Sequence, residues 1–401
     1  MTFIRRRFPS ERLDDIDGAL AAELAASGVN IQPGARIAVA VGSRGIAELA
    51  RLVAGVVAWV KAQGGEPFIV PAMGSHGGAT AKGQQAVLAE YGVTEAAIGA
   101  PIRPSMAVVE LPRDETEIPI YYAEEAFHAD GTILINRVKP HTSFSGRYES
   151  GLMKMAAIGL GKARQARAIH ALGLRGLREV MPQVAGQALR HGNVLLGIAV
   201  VENARDELML LRAIPAAEIP EREPELLEIA RRCQPALPVG ALDLLIVDEI
   251  GKNISGLGMD TRVIGRLSIR GEAEPAHPRI RLILVRGLTA ETRGNACGMG
   301  LADIITRQAF ERIDLRATYA NVLTTGFLER GKIPLIAETE DEALAMAAAA
   351  LGRVNLEGAR IIRIVNTLRL EMMLVSPPVL TELARHDDIE AIGEAESIFA
   401  P

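Results

Sequence analysis

Cysteine is scarce: Cys233 and Cys297 are the only two in 401 residues. Two thiols cannot build a Cys₄ zinc site or an iron–sulfur cluster within one chain, and they give no disulfide framework of the secreted kind. Aromatic residues supply only 3% of the chain, with one tryptophan, which leaves few platforms for stacked bases. A net charge of −5, from 44 basic against 49 acidic residues, leaves no basic field to draw in phosphate backbones. Nucleic acid is therefore not an expected partner. Long apolar runs are missing as well. The basic start, MTFIRRRFPSERLDD, leads into no apolar stretch, so no secretory leader is expected. The alanine run at 347–350 is broken by charge well short of a membrane span. These absences point to a cytoplasmic protein in a reducing compartment, without membrane association.

What is present is a globular composition, 49% hydrophobic, and a length suited to two domains. Apolar runs of strand length alternate with helical patterns, which predicts an α/β protein. RIAVAV at 36–41 is a strand that ends in Gly42-Ser43-Arg44-Gly45. A helix follows over about 46–62, stopped by Gly64-Gly65, and EPFIVPA opens a second strand that runs into Met73-Gly74-Ser75-His76-Gly77-Gly78. A helix at about 81–91 and a strand GTILIN at 131–136 come next, the latter leading into Arg137-Val138-Lys139-Pro140-His141. This is a largely parallel, Rossmann-like sheet, and the carboxyl edge of such a sheet is where ligands bind. Residues 194–214 read as a hairpin. The Pro- and Glu-rich stretch at 216–240 reads as a connection with a helix in its middle. A second α/β pattern begins with ALDLLIVDEI at 241 and includes helices near 301–312 and 341–351. The expected organisation is an N-terminal domain over 1–215, a connecting segment over 216–240 and a C-terminal domain over 241–401, with the active-site cleft between the two domains.

The chemistry-bearing residues cluster at the strand ends. Arg44 stands at the mouth of the first strand–helix turn, where a guanidinium suits bidentate recognition of a carboxylate or a surface ion pair. His76 lies in GSHGG, a loop too rich in glycine for packing to be its purpose. His141 opens an irregular loop of small residues after Pro140, which fixes an extended entry. Lys154 follows between two methionines on an apolar stretch; it either snorkels to solvent or is desolvated enough to act as a nucleophile or covalent anchor. His170 closes a basic helical segment, where a cation suits the macrodipole of a helix C-terminus. In the second half, Asp303 and Arg307 are spaced for an i,i+4 pair, and with Asn321, Thr324 and Thr325 they form a polar cluster able to read hydroxyls. No P-loop, HExxH or GxSxG element occurs.

In this order and at these intervals, the chain resembles the nickel-dependent lactate racemase family over most of its length. The resemblance implies a role for each residue. Arg44 contacts the substrate carboxylate. His76, in the Gly-Ser-His loop, and His141, in the Pro-His pair, are the two catalytic histidines. Lys154 holds the cofactor, a nickel-pincer nucleotide (pyridinium-3,5-bisthiocarboxylic acid mononucleotide), and His170 ligates the nickel. Lys252, in DEIGKNISG, stands for the second-domain lysine that faces the substrate. The chain departs from the family pattern at Val41, where an acidic residue is usual, and at Ser43-Arg44-Gly45 in place of Thr-Arg-Pro. It also has a longer link, RYESGLMK, between His141 and Lys154, and no match for the aromatic residues that enclose lactate.

The activity so implied is racemisation or epimerisation of a 2-hydroxy acid, including a sugar acid or other polar hydroxy acid, in a divergent member of the family. Reversible hydride transfer would pass through a planar keto acid, with imidazoles that both accept and return a proton near neutral pH. The implied partners are the small hydroxy-acid substrate and the enzymes that make the cofactor. Two other readings fit the residues: a pincer-free, metal-dependent lyase or isomerase on the same fold, and a non-catalytic sensor of small acids.

Overall fold

The computed structural model describes the chain except for Ser43, Arg44, Glu115, Glu396, Ser397 and residues 399–401, and leaves out the side chains of Thr324 and Thr325. It divides into two compact units, Pro9–Gln234 and Met1–Phe8 with Pro235–Pro401. Both are α/β.

The Pro9–Gln234 unit is built on a five-stranded sheet. Its order is Glu66–Pro71, Arg36–Val41, Gly131–Arg137, Val194–Glu202, Leu208–Pro215. The first four strands are parallel and the last pair is antiparallel. The strands read as unbroken apolar runs because both faces are covered. Ala38, Ala40, Phe68 and Leu134 point into one core, while Ile37, Val39, Val41, Ile69 and Ile133 point into the other. The helix expected over 46–62 forms as Leu49–Ala62 and the one over 81–91 as Ala81–Glu90. The carboxyl ends of Arg36–Val41, Glu66–Pro71 and Gly131–Arg137 lie side by side, which brings their three loops together.

The stretch at 216–240 contains helix Ile219–Cys233, which packs on this unit through Ile219, Leu226, Leu227 and Ala230. The chain therefore leaves the unit after Gln234, later than the hairpin's end.

The other unit carries an eight-stranded sheet. Five parallel strands run in the order Leu335–Ala337, Ile304–Thr306, Arg279–Val285, Ala241–Val247, Ile361–Asn366. Three antiparallel strands, Arg369–Val375, Thr2–Arg6 and Ile389–Glu394, complete it. The first residues of the chain are thus a strand of the C-terminal unit, with Ile4 fully buried in its core. Residues 301–312, expected as one helix, instead hold strand Ile304–Thr306 and the short helix Arg307–Glu311. The run Ile304-Ile305-Thr306 is β-branched, and strands on both sides accept its pairing. No helix among the described residues is long and apolar enough to cross a membrane.

Candidate active site

The loops at the carboxyl edge of the five-stranded sheet enclose a cavity of about 170 Å³. His76, His141, Lys154 and His170 all line it, together with Arg137, Lys139, Asn136 and Ser150. No Asp or Glu is among its described lining residues. A pocket with three imidazoles, two amines and a guanidinium on its walls, and no carboxylate, is built for an anion.

Each side chain arrives by a different route. His76 stands on the loop after strand Glu66–Pro71. The strand's last carbonyl, at Pro71, accepts a hydrogen bond from Lys162 Nζ. The buried amide of Gln84 donates to the carbonyls of Gly74 (2.9 Å) and His76 (3.3 Å). Gly74 adopts φ +60°, a conformation that L side chains rarely take, and a Cβ there would press on Ile158.

His141 stands on the loop after strand Gly131–Arg137. Lys139 and Ser150 exchange backbone hydrogen bonds of 2.8 and 3.1 Å and close residues 140–149 into a compact loop. Glu149 is the hub of that loop. Its fully buried carboxylate accepts the backbone N–H groups of His141 and Gly146, and Arg231 of helix Ile219–Cys233 pairs with it at 2.6 Å. The His141 ring lies 4.6 Å from that of Phe144. Its Nδ1 accepts the Ser143 N–H at 3.1 Å, so the neutral ring carries its proton on Nε2 and presents a donor. Arg137 is paired with the buried Glu202, whose other oxygen accepts the Ala47 N–H at 2.7 Å.

Lys154 and His170 come from one run of helix. A short α-turn, Leu152–Lys154, passes into a π-helical turn, Met155–Gly159, and then into helix Lys162–His170. π-Turns of this kind recur at functional sites. Lys154 is half-buried. His170 keeps an exposed edge, yet desolvation first and the Lys154 charge second push its pKa below the ordinary value. Both effects favour the neutral ring, the form that offers a lone pair. The fully buried lysine of this segment is Lys162, which does not line the cavity; desolvation lowers its pKa to about 8, and the Glu125 charge opposes the shift.

Two sequence-derived candidates are not among the described lining residues. Arg44 lies outside the described residues, although Gly42, two residues before it, lines the cavity. Lys252 belongs to the other unit, on the turn after strand Ala241–Val247, where its Nζ donates to the Gly256 carbonyl at 2.6 Å. Desolvation lowers its pKa. The spacing of Asp303 and Arg307 does not produce a pair. Asp303 precedes a strand and accepts from Arg266 (2.7 Å) and the Ile283 N–H (2.8 Å), while Arg307 pairs with Glu338.

Sequence reading missed Glu149, the hub within the 139–154 segment, and Glu223 and Arg231, which support it from helix Ile219–Cys233. The donor set also bears on the implied cofactor. No group of three His, Cys, Asp or Glu side chains that could hold a metal ion occurs among the described residues. A nickel ion at His170 would need its remaining donors from the molecule that carries it, which is the condition a sulfur-bearing pincer meets. An amine beside a neutral imidazole suits that group.

No family model matches the sequence, and no curated protein matches it. The structure is similar to that of the lactate racemase apoprotein from Thermoanaerobacterium thermosaccharolyticum, with a TM-score of 0.50 at 12% identity. The similarity covers 91% of this chain and 98% of that chain. At so low an identity it establishes the fold: this chain has a two-unit α/β architecture like that of a lactate racemase.

Proposed function

We propose that this protein is a racemase or epimerase of a 2-hydroxy acid, with Lys154 as the anchor and His170 as the protein ligand of a nickel-pincer nucleotide. The observation that carries this reading is the convergence of His76, His141, Lys154 and His170 on one cavity without an acidic wall. When bound, the pincer group supplies an acceptor for hydride from the substrate Cα, and the protein's part is to bind, orient and move protons.

Lys139 gives the cavity a positive group for the substrate carboxylate, while Arg137 is held by Glu202, and Arg44 is assigned to the same anion from the sequence. Lys252 is proposed as a further substrate contact. His76 is the base that takes the hydroxyl proton as the oxygen becomes a carbonyl. His141, its Nδ1 held by the Ser143 N–H, donates from Nε2 to that oxygen and stabilises charge as it develops. Proton uptake by His141, required for the mirror-image substrate, needs the Ser143 contact to open. No Phe, Tyr or Trp is among the described lining residues, which supports a polar hydroxy acid, such as a sugar acid, over an aryl one.

The test is production of the protein together with the cofactor-making enzymes, followed by nickel analysis and intact mass. An added cofactor mass that disappears in Lys154→Ala, with epimer formation that requires His76 and His141, is the expected result. Absence of both adduct and nickel from the co-produced protein overturns the reading.

A further inference from the structure

Helix Ile219–Cys233 packs on the Lys154 segment, and none of its residues is among those lining the cavity. We propose that its Glu223 is a positioning residue for Lys154, acting as a cap on the turn that carries the lysine. This takes Lys154 as the anchor assigned above.

Glu223 is 1% exposed. One carboxylate oxygen, Oε2, accepts the N–H of Met153, the residue before Lys154, at 2.8 Å. The turn Leu152–Lys154 has no cap from its own chain segment: Gly151 precedes it and has no side chain to give. A carboxylate brought in from a distant helix satisfies an amide that would otherwise be left bare at the helix start.

Gly151 shows how closely the two are fitted. Its φ of 177° is extended backbone that any residue adopts, so conformation does not demand glycine here. Space does. A Cβ on Gly151 would lie 2.5 Å from the Glu223 carboxyl carbon and 2.6–2.7 Å from both its oxygens. The carboxylate occupies the room where a side chain would stand. On its other side the Gly151 carbonyl accepts Asn136 Nδ2 at 2.6 Å and the Met155 N–H at 3.0 Å. Asn136 itself lines the cavity, so a cavity residue and Glu223 grip the same short turn from two directions.

Glu223 does not serve stability well. Its second oxygen, Oε1, has no hydrogen-bond partner among the described residues. Burial pushes its pKa up to about 7, against the pull of the Met153 and Leu152 amides. A buried carboxylate with an oxygen unmet is a cost to the fold, and an apolar residue of similar size would often be neutral or stabilising in its place. What the carboxylate provides is the fixed start of the Lys154 turn.

The test uses the full chain without cofactor, and follows acylation of Lys154 by an N-hydroxysuccinimidyl ester with peptide mass mapping, exposed Lys82 serving as internal reference. Glu223→Gln keeps an acceptor for the Met153 N–H and is expected to label at the wild-type rate. Glu223→Leu removes the acceptor; Lys154 labelling is expected to change by about fivefold, the effect of losing one helix cap, with no fall in the urea midpoint. Gly151→Ala pushes the carboxylate away and is expected to reproduce the Leu result, which keeps the test open if Glu223→Leu does not fold. Unchanged Lys154 labelling in the Leu and Ala variants, or a Gln variant that labels like Leu, overturns the proposal. Because no cofactor is involved, failure to find nickel in the co-produced protein would sink the racemase reading and leave this result standing.

Discussion

The two walls of the cavity are held in different ways. The His76 wall rests on a buried side-chain amide, Gln84, and a buried amine, Lys162, both donating to backbone carbonyls. The His141–Lys154 wall rests on buried carboxylates, Glu149 and Glu223, both accepting backbone amides, with Arg231 balancing the first. The buried groups behind the first wall donate to its carbonyls, whereas the buried carboxylates of the second accept its amides, with Asn136 and Arg231 also donating to the Gly151 and Gly146 carbonyls there. The difference teaches that a loop of small residues gains its shape from whichever backbone groups it leaves unpaired, and that the supporting side chain must be of the opposite kind.

The harshest way to break the comparison is to strip the charge balance from the second wall alone. Arg231→Met takes the Arg231 cation away from the buried Glu149 carboxylate. It is expected to cost roughly 3–4 kcal/mol in chemical denaturation, and to loosen the His141 loop while the His76 loop keeps its protection from amide hydrogen exchange.

The walls also predict opposite responses to pH. Glu223 holds its proton more tightly in the folded chain, with a pKa of about 7 against an ordinary 4.5. Its contribution to stability is greatest below pH 4.5 and declines as pH rises to about 7. Lys162 holds its proton less tightly when folded, at about 8 against 10.5, so its contribution rises as pH climbs from about 8 to 10.5. The stability difference between wild type and Glu223→Gln should fall by about 2–3 kcal/mol across the first window, and that between wild type and Lys162→Met should grow by a similar amount across the second. Urea titrations at stepped pH measure both, and a shared sign would dissolve the contrast.

The smallest effect is expected at Gln84. Gln84→Leu removes two donors from the His76 loop and should cost about 1 kcal/mol. The sharper reading is local: exchange at His76 and Gly77 should accelerate, with none at His141.

Much of the first unit was legible in the chain. Strands Arg36–Val41, Glu66–Pro71 and Gly131–Arg137 announce themselves as β-branched, apolar runs because both their faces are buried. The loops at their ends carry the conspicuous Gly, Pro and His residues, and parallel pairing puts those ends together. Pairing across long separations was not legible. Thr2–Arg6 lies between Arg369–Val375 and Ile389–Glu394, and nothing near residue 4 points to partners so far away. Ile304–Thr306 took strand form against helical spacing because neighbouring strands were there to receive it. The stretch at 216–240 reads as a connection with a helix in its middle; only packing shows that the helix turns Glu223 inward and brings Arg231 to Glu149.

The scarcity of cysteine and aromatics, the alternating α/β pattern and the order of Arg44, His76, His141, Lys154 and His170 belong to the sequence alone. They set what kind of chemistry the chain can attempt, since side-chain types and strand-end positions are local properties. The tertiary structure decided which lysine faces the cavity and which is buried behind it, which nitrogen of His141 carries the proton, and which carboxylates hold the loop. Those depend on what stands opposite each group in space, and the spacing of residues along a chain does not record that.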